Sequence, residues 1–175
     1  MTPQTHISTT VGLKITSGGQ TGIDRAALDV AIELGIPHGG WCPKQRWAED
    51  GVLPEKYTLR ETPSQDPSQR TLWNVRDSDA TLILCRTTDL TGGTLYTKEC
   101  CEKFNKPYLL WKTQNNFEPL KKIINFLVEN KVKVLNIAGP RESQEPGIYL
   151  EAKQLLKALF CKFLKPESQM DNSRW

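Results

Sequence analysis

Residues 14–25 read KITSGGQTGIDR, and this stretch carries the strongest evidence about the fold. An apolar segment, residues 11–15, reaches two glycines, passes a third, and continues into an amphipathic helical pattern. This order is typical of a strand, a glycine-rich turn and a helix start. Because the first turn of a helix presents unpaired N–H groups and the positive end of its dipole, we expect an anion here, most often a phosphate. The predicted contacts are Gly18, Gly19, Gln20, Thr21, Gly22 and Asp24.

The same pattern has a purely structural interpretation, because a tight connection between a strand and a helix also requires small residues. The segment GGQTG matches neither the dinucleotide fingerprint GxGxxG nor the phosphate-binding loop GxxxxGK[ST]. Taken alone, residues 14–25 leave anion binding and a plain structural turn as open alternatives.

A chain of 175 residues with a formal net charge of +3 fits one domain with a sizeable core. We expect this domain over residues 11–164, with flexible polar tails at residues 1–10 and 165–175. Lysine and arginine are spread along the chain, so a nucleic-acid partner is not indicated. No apolar run approaches the roughly 20 residues that span a bilayer, so no membrane association is indicated. Without a signal-peptide pattern, the expected location is the cytoplasm.

Cysteine and histidine do not form a recognisable metal motif. The five cysteines are odd in number, and the adjacent pair Cys100 and Cys101 suits neither a disulfide framework nor a CxxC clamp. His6 and His38 are the two histidines, and neither lies at metal-ligand spacing from a cysteine. We therefore expect no tightly bound protein-ligated metal and, in a reducing compartment, no structural disulfide.

Strand and helix patterns alternate along the chain, which predicts an α/β fold with a mainly parallel sheet and helices on both faces. In the first helix, Ala27, Leu28, Ala31 and Ile32 are expected to be buried. The predicted helices cover residues 23–34, 68–77, 91–105, 117–129 and 146–163. The predicted strands cover residues 11–15, 57–61, 80–85, 107–111 and 132–137.

Three glycine-bearing turns, at Gly18, Gly92 and Gly139, each follow a predicted strand. In open parallel sheets, ligands bind beyond the carboxyl ends of the strands, at the point where the strand order reverses. We therefore expect the three turns to lie at one edge of the sheet and to line a common pocket.

The second turn repeats the features of the first. Gly92 and Gly93 supply accessible N–H groups, and Thr94 and Thr97 supply hydroxyls at a helix start. A role for Thr94 as a simple N-cap is the structural alternative. Arg141, after the third turn, is expected to hold an oxyanion, with a surface salt bridge as its alternative.

Residues 37–68 form a long connection rich in Gly, Pro, Trp and charge, and connections of this length are usually functional or disordered. Trp41 is a candidate to stack on a flat heterocycle and Lys44 to hold an anionic group, although the tryptophan could equally pin the loop to the domain. Cys42 is either a thiol ligand or, more commonly for a lone cysteine, a small buried hydrophobe. Asp79 either presents a carboxylate to the site or caps a turn. Ser17 has no histidine placed to activate it, so these residues do not require catalysis.

Several segments, in order, resemble the family of molybdenum cofactor carrier proteins. The family is similar to a circularly permuted branch of the SLOG, or lysine-decarboxylase-like, superfamily of Rossmann-like domains. The matching segments are SGGQTGIDRAALDVAIELGIPHGGWCPK at residues 17–44, AEDG at 48–51, RT..NV.DSDATLI at 70–83, GGT..T at 92–97 and LNIAGPRES..PGIY at 135–149.

The resemblance implies a Rossmann-like, doubly wound fold, homo-oligomers (a dimer or tetramer) and binding of a pterin-type molybdenum cofactor whose phosphate sits on the glycine turns. Gln45, Arg46 and Trp47 depart from the glycine and basic residues expected after Lys44, which could alter the ligand contacts. A related branch, the nucleoside-monophosphate phosphoribohydrolases, carries PGGxGTxxE. Alignment of its GT with residues 93–94 places Thr97 at the position of the essential glutamate, which counts against hydrolysis.

We therefore expect a binding or carrier protein for a phosphorylated heterocycle, with the molybdenum cofactor as the named candidate. One alternative is an enzyme that cleaves the N-glycosidic bond of a nucleotide, with Asp24, Asp79 or Glu99 as acid or base. A second alternative is a sensor that passes ligand occupancy to a partner protein. Carrier and sensor need the same pocket, so the sequence does not rank them.

Overall fold

The computed structural model describes residues 12–114 and 119–164. Its strands are β1 (Lys14–Thr16), β2 (His38–Gly39), β3 (Trp41–Cys42), β4 (Trp47–Ala48), β5 (Gly51–Val52), β6 (Arg60–Glu61), β7 (Ala80–Cys85), β8 (Tyr108–Lys112) and β9 (Val134–Ala138). Its helices are α1 (Ile23–Glu33), α2 (Pro67–Arg76), α3 (Gly92–Lys103), α4 (Lys121–Glu129) and α5 (Ile148–Phe163). The predicted flexible tails lie outside the described residues, as do residue 11 of the first predicted strand and residues 117–118 of the fourth predicted helix.

The central sheet has five strands in the order β2-β1-β9-β7-β8, and every neighbouring pair is parallel. Helices α1, α4 and α5 share the largest apolar cluster with alternate residues of β1, β7 and β9. Helices α2 and α3 pack together in a separate cluster around Val75, Cys100 and Cys101. The prediction of a doubly wound α/β fold with a mainly parallel sheet is confirmed.

The strand order fixes where a ligand can bind. From β1 the chain crosses outward to β2, from β7 it crosses outward in the other direction to β8, and β9 returns between β1 and β7. The strand order therefore reverses around β1, β9 and β7, whose carboxyl ends lie side by side. This arrangement confirms that the turns at Gly18, Gly92 and Gly139 share one edge of the sheet.

The buried face of α1 differs from the prediction at one residue. Ala27, Leu28 and Ala31 are fully buried, but Ile32 is 39% exposed. The sheet and α5 cover one side of the helix, while the connection after β2 covers Leu28 on another. Ile32 lies on the side that neither element reaches, so the expectation that it is buried was wrong.

The long connection contains more order than the single strand predicted over residues 57–61. Its short strands form two small sheets, in which β3 pairs with β6 and β4 pairs with β5. A second core cluster, formed by Leu28, Cys42, Ala48, Leu53, Tyr57 and Leu59, holds the connection against α1. Within residues 12–114 and 119–164, no helix combines the length and hydrophobicity needed to cross a membrane.

Candidate functional site

A cavity of about 340 Å³ lies at the carboxyl edge of the sheet, where the strand order reverses. Its wall combines all three glycine-bearing turns with the start of α2. The lining residues are Gln20, Asp24, Pro67, Ser68, Arg70, Thr71, Gly92, Gly93, Thr94, Tyr96, Thr97, Ala138, Gly139, Arg141 and Gln144. The structure therefore brings seven of the predicted site residues to one cavity, together with Gly139 of the third turn: Gln20, Asp24, Gly92, Gly93, Thr94, Thr97 and Arg141.

The second turn presents an open helix start to this cavity. Thr91 is the N-cap residue of α3, and its side chain makes no capping hydrogen bond within the described chain. A Cβ added to Gly93 would meet no described atom within 4 Å. The first N–H groups of α3 have no helical partner, and the helix dipole places positive charge at the same point. An anion in the cavity would supply the missing acceptor.

Neither Thr94 nor Thr97 is the N-cap residue of α3. Thr94 is buried against the cavity, and the N-cap position belongs to Thr91. The Thr97 hydroxyl donates to the carbonyl oxygen of Gly93 at 2.8 Å, one helical turn back. The proton of that hydroxyl is therefore used inside α3, and its oxygen remains available to the cavity as an acceptor.

The first turn is closed by its neighbours. A Cβ on Gly19 would come within 2.8 Å of Leu53 and Leu59, and one on Gly22 would come within 2.4 Å of the carbonyl oxygen of Pro140. Both glycines have positive φ, +79° and +77°. A small residue is needed here because other segments of the chain occupy the space, which is the structural alternative for this motif.

Three backbone donors of the first turn already have partners within the protein. The Gln20 N–H donates to Asp24, the Thr21 N–H to the Gln20 side chain, and the Ile23 N–H to the carbonyl oxygen of Pro140. Gln20 and Asp24 reach the cavity wall, whereas Gly18, Gly19, Thr21 and Gly22 are not among its lining residues. These four residues therefore lie outside the wall of this cavity, and their binding of an anion stays a prediction.

A buried ion pair that the sequence analysis missed joins the first turn to α2. Arg70 Nη1 lies 3.0 Å from Asp24 Oδ2, and the two side chains are 13% and 4% exposed. Burial raises the pKa of Asp24 above its ordinary value, against the opposing attraction of Arg70. The Nε of Arg70 is buried and has no hydrogen-bond partner in the described part of the chain. Arg70 thus has donor capacity left at the cavity wall.

Gly18 explains why this arginine can lie so deep. A Cβ at Gly18 would fall 2.0 Å from Arg70 Nη1, so the guanidinium rests directly on the glycine backbone. The sequence around Arg70 contains no pattern that predicts this contact, because Gly18 and Arg70 are 52 positions apart in the chain. Only the packing of α2 over the first turn reveals it.

The charges at the cavity wall favour an anion. Its ionisable lining residues are the guanidinium groups of Arg70 and Arg141 and the carboxylate of Asp24. The side-chain carbonyl of Gln20 accepts from the N–H groups of Thr21 and Glu49, which leaves its NH₂ group as the donor available to a ligand. Together with the open start of α3, these groups are suited to bind a phosphate.

Glu49 fastens the long connection to the site. Its carboxylate accepts from the Thr21 hydroxyl and, at 2.6 Å, from the Ser143 hydroxyl, while its N–H donates to Gln20 at 2.9 Å. Partial burial acts to raise the pKa of Glu49, but the hydrogen bonds from Ser143 and Thr21 hold it below its ordinary value. Glu49 therefore ties together the first turn, the connection and the turn after β9.

Trp41 and Lys44 lie away from the cavity wall. The Trp41 indole N–H donates to Asp77 at 2.8 Å, its ring packs edge-on against Trp73, and Arg60 lies 4.1 Å above it. Trp41 therefore pins the connection to α2. Lys44 is exposed in a single 3-10 turn, Lys44–Arg46. Neither Lys44 nor Trp41 lines the cavity.

Asp79 lies at the opposite end of the sheet. It precedes β7, and its Oδ2 accepts from the N–H groups of Lys133 and Val134 at 2.9 and 2.8 Å. These bonds tie the amino end of β7 to β9, so the predicted presentation of Asp79 to the site is wrong and the turn-capping alternative holds. Cys42 is fully buried in the second core cluster, and burial raises the pKa of its thiol.

The unusual residues after Lys44 serve the loop itself. Gln45 has a φ of +64°, a backbone conformation that favours glycine. Arg46 donates to the carbonyl oxygens of Leu53, Pro54, Tyr57 and Leu59, at distances of 2.8–3.1 Å. These residues stabilise the connection and do not reach the cavity wall.

The carboxylates proposed for the hydrolytic alternative are dispersed. Asp24 lines the cavity, Glu99 is exposed on α3 outside it, and Asp79 lies at the far edge. No group of three or more His, Cys, Asp or Glu side chains within the described residues is placed to hold a metal ion. All five cysteines are free thiols, and Cys161 is the exposed one.

This chain is similar to a known protein family and to a protein of known structure. Residues 15–160 match the sequence profile of the circularly permutated YpsA SLOG family. The chain is 45% identical to a protein of Syntrophus aciditrophicus SB whose 1.45 Å crystal structure is described as a putative molybdenum carrier protein. The match has a TM-score of 0.78 and covers 83% of this chain and 93% of that one. Among curated proteins, none is significantly similar to this chain.

Proposed function

Because this chain belongs to the circularly permuted YpsA family of SLOG proteins, we propose that it binds a phosphorylated heterocycle in the cavity at the carboxyl edge of its sheet. The specific ligand we propose is the molybdenum cofactor, and the role is that of a carrier. The description of the relative from Syntrophus aciditrophicus as a molybdenum carrier supports this choice.

One observation carries the proposal: the start of α3 has no side-chain cap, and it opens into a cavity whose wall holds two arginines. The N–H groups at Gly92 and Gly93 need an acceptor, and Arg141 and Arg70 Nε offer further donors. A phosphate would satisfy the backbone donors and both guanidinium groups at once. A neutral ligand would gain none of these charge-assisted hydrogen bonds.

The residues present fit the phosphate-bearing end of a pterin-type cofactor. Arg141, the start of α3 and the Gln20 NH₂ group would hold the phosphate, while Tyr96 and Pro67 provide flat surfaces beside it. When bound, the cofactor would bring its own metal-binding chemistry. The protein's part would be to orient the ligand and to shield it from water and oxygen.

Protection of the cofactor tests this role. Molybdenum cofactor released from a molybdoenzyme should survive longer with the protein than without it, as measured by reconstitution of a cofactor-free molybdoenzyme after a timed incubation. Gly93→Val should reduce this protection at least about tenfold, because the new side chain would fill the approach to the helix start. Gly12→Val is the matched control, because a Cβ at Gly12 also meets no described atom within 4 Å but lies outside the cavity lining. Equal survival with and without the protein would refute the carrier role.

Hydrolysis of nucleotides is the competing function that the same cavity could support. We expect no release of free base from nucleoside monophosphates above background, because Thr97 cannot take a proton as a glutamate can. Asp24 is the carboxylate that could act in its place. Base release that disappears in Asp24→Asn, and persists in Glu99→Gln, would establish a hydrolase instead.

The oligomeric state is part of the same proposal. We expect a homodimer or homotetramer, which sedimentation equilibrium would measure directly. If the cofactor is bound but never passed on to a molybdoenzyme, the same cavity would serve a sensor, and a partner protein would have to distinguish the loaded form from the empty one.

A further inference from the structure

A second cavity adjoins the first and has the opposite chemistry. Its volume is about 260 Å³, and it shares Thr94 and Gln144 with the first cavity. Its charged lining residues are the carboxylates of Asp89 and Glu145, beside the hydroxyls of Thr87 and Thr91, whereas the first cavity has two arginines and one carboxylate. Leu90 and Pro140 add apolar surface. The two cavities could therefore hold two chemically different ends of one ligand.

The carboxylates of the second cavity lack protein donors. Within the described residues, neither Asp89 nor Glu145 accepts a hydrogen bond through its side chain, and Glu145 Oε2 is shielded from solvent without a partner. A shielded acceptor without a donor is unfavourable, and native proteins usually satisfy such atoms. A bound group with N–H donors would remove this deficit.

The nearest cation cannot substitute for that donor. Arg86 Nε lies 4.0 Å from Glu145 Oε2, beyond hydrogen-bond distance. The guanidinium of Arg86 is held instead by Glu151, at 2.7 Å, and by the carbonyl oxygen of Pro146, at 2.8 Å. Arg86 thus offsets the negative charge of Glu145 while leaving its acceptor positions open. The terminal torsion of a glutamate is broad, so either oxygen can turn toward a ligand.

We propose that the second cavity binds a planar ring with paired N–H donors, and that Glu145 accepts from both of them. This fork of donors occurs in the 2-amino-4-oxopyrimidine ring shared by guanine and pterin. A carboxylate matches such a fork with two parallel hydrogen bonds, and charge-assisted bonds of this kind are strong. The inference rests on the proposed function, since the phosphate of the same ligand would occupy the first cavity.

Calorimetry with guanosine and inosine 5′-monophosphates tests this assignment, because the two nucleotides differ only in the 2-amino group. A second pair, 6-hydroxymethylpterin phosphate and the corresponding compound with hydrogen in place of the 2-amino group, applies the same comparison to the other source of the ring. In at least one pair, the compound with the 2-amino group should bind about tenfold more tightly. Preference in one pair alone would identify which ring the cavity accepts.

The variant Glu145→Gln should abolish that preference, because an amide presents one acceptor where the carboxylate presents two. Glu55→Gln is the matched control, since it removes the same charge from an exposed residue outside both cavities. The control should keep the full tenfold preference.

The possible results distinguish a failure of the ring assignment from a failure of the proposed function. If all four phosphorylated compounds bind equally, and Gly93→Val weakens them all, the phosphate site stands and the ring assignment is overturned. If none of them binds, both the phosphate site and the ring assignment are overturned. A preference that persists unchanged in Glu145→Gln would also overturn the role of Glu145.

Discussion

Two glycine-rich turns of similar sequence, at residues 17–22 and 91–97, have different structural roles at the same edge of the sheet. In the first turn, neighbouring segments fill the space that a Cβ would need at Gly19 and Gly22, and the N–H groups of Gln20 and Thr21 are already bonded. In the second turn, the space at Gly93 is open and the helix start has no side-chain cap. Glycine therefore allows close packing in one turn and leaves open space at a helix start in the other.

The difference shows that a glycine motif does not by itself identify a binding surface. What decides the role is whether the protein already supplies the acceptors and the atoms that approach the backbone. The first turn contributes to the cavity wall indirectly, because it positions Arg70 and the Gln20 amide. Each of the following changes probes this division between a packed turn and an open one.

The largest effect is expected from Arg70→Met. This change would leave the carboxylate of Asp24 buried without its partner, and breaking a buried pair in this way costs about 3–5 kcal/mol. The double variant Arg70→Met, Asp24→Asn should recover much of that loss. Arg141→Met, on the open side, should change the free energy of unfolding by less than about 1 kcal/mol. Urea denaturation measures the free energy of unfolding of all three variants. Equal losses for Arg70→Met and Arg141→Met would contradict the distinction between the packed turn and the open one.

A pair of alanine substitutions compares the glycines directly. Gly22→Ala should lower the free energy of unfolding by roughly 2–3 kcal/mol, because its φ is +77° and the new Cβ would overlap the carbonyl oxygen of Pro140. Gly93→Ala should be neutral or up to about 1 kcal/mol stabilising, because alanine is the better helix former. Thermal and urea unfolding of the two variants side by side provide the measurement. Comparable losses would mean that the second turn is as tightly packed as the first.

Two carboxylates should give pH dependences of opposite sign. The pKa of Glu49 is held below its ordinary value, so its contribution is present above that ordinary value and is lost as the pH falls through the lowered one. Burial raises the pKa of Asp24, so the cost of its charge grows as the pH rises from the ordinary value to the raised one. The stability gap between wild type and Glu49→Gln, about 1 kcal/mol near neutral pH, should therefore shrink in acid.

The difference in free energy of unfolding between wild type and Asp24→Asn should change in the opposite direction. As the pH falls, the wild type should become more stable relative to the variant. Denaturant midpoints between pH 3 and pH 7 would reveal both trends. Parallel trends for the two variants would show that burial does not set the direction of the pKa shift of Asp24.

The smallest effect is expected for Trp41→Phe. Loss of the indole N–H bond to Asp77 should lower the free energy of unfolding by about 0.5–1 kcal/mol. Protection of the molybdenum cofactor should not change, because Trp41 lies outside the cavity lining. A tenfold loss of protection in this variant would restore the stacking role predicted from the sequence.

The alternation of strands and helices was readable from the sequence because it depends on local periodicity. Strand β7 occupies the predicted residues 80–85, and α1 begins at the predicted Ile23. The shared edge of the three turns followed from the same pattern, since parallel strands place their carboxyl ends together. Ile32 was misplaced because burial depends on which neighbours cover a helix, and periodicity does not report that.

The site itself was only half determined by the sequence. The turn at Gly92 and Gly93 and the position of Arg141 were predicted because each directly follows a predicted strand. Arg70 and Glu49 were missed because their partners, Asp24 and Ser143, are 46 and 94 residues away. Asp79 precedes the predicted strand at residues 80–85, and in the structure its carboxylate accepts the N–H groups of Lys133 and Val134 at the amino end of β7, away from the cavity.

The sequence by itself therefore determined the secondary structure and the edge of the sheet at which a ligand could bind. Only the tertiary structure decided which glycines are packed and which are open, because that depends on atoms brought in from distant segments. Tertiary packing also decided that the two adjoining cavities have opposite charge, since each is assembled from several turns. Local patterns follow from bonds between near neighbours, whereas the chemistry of a cavity follows from side chains that only folding brings together.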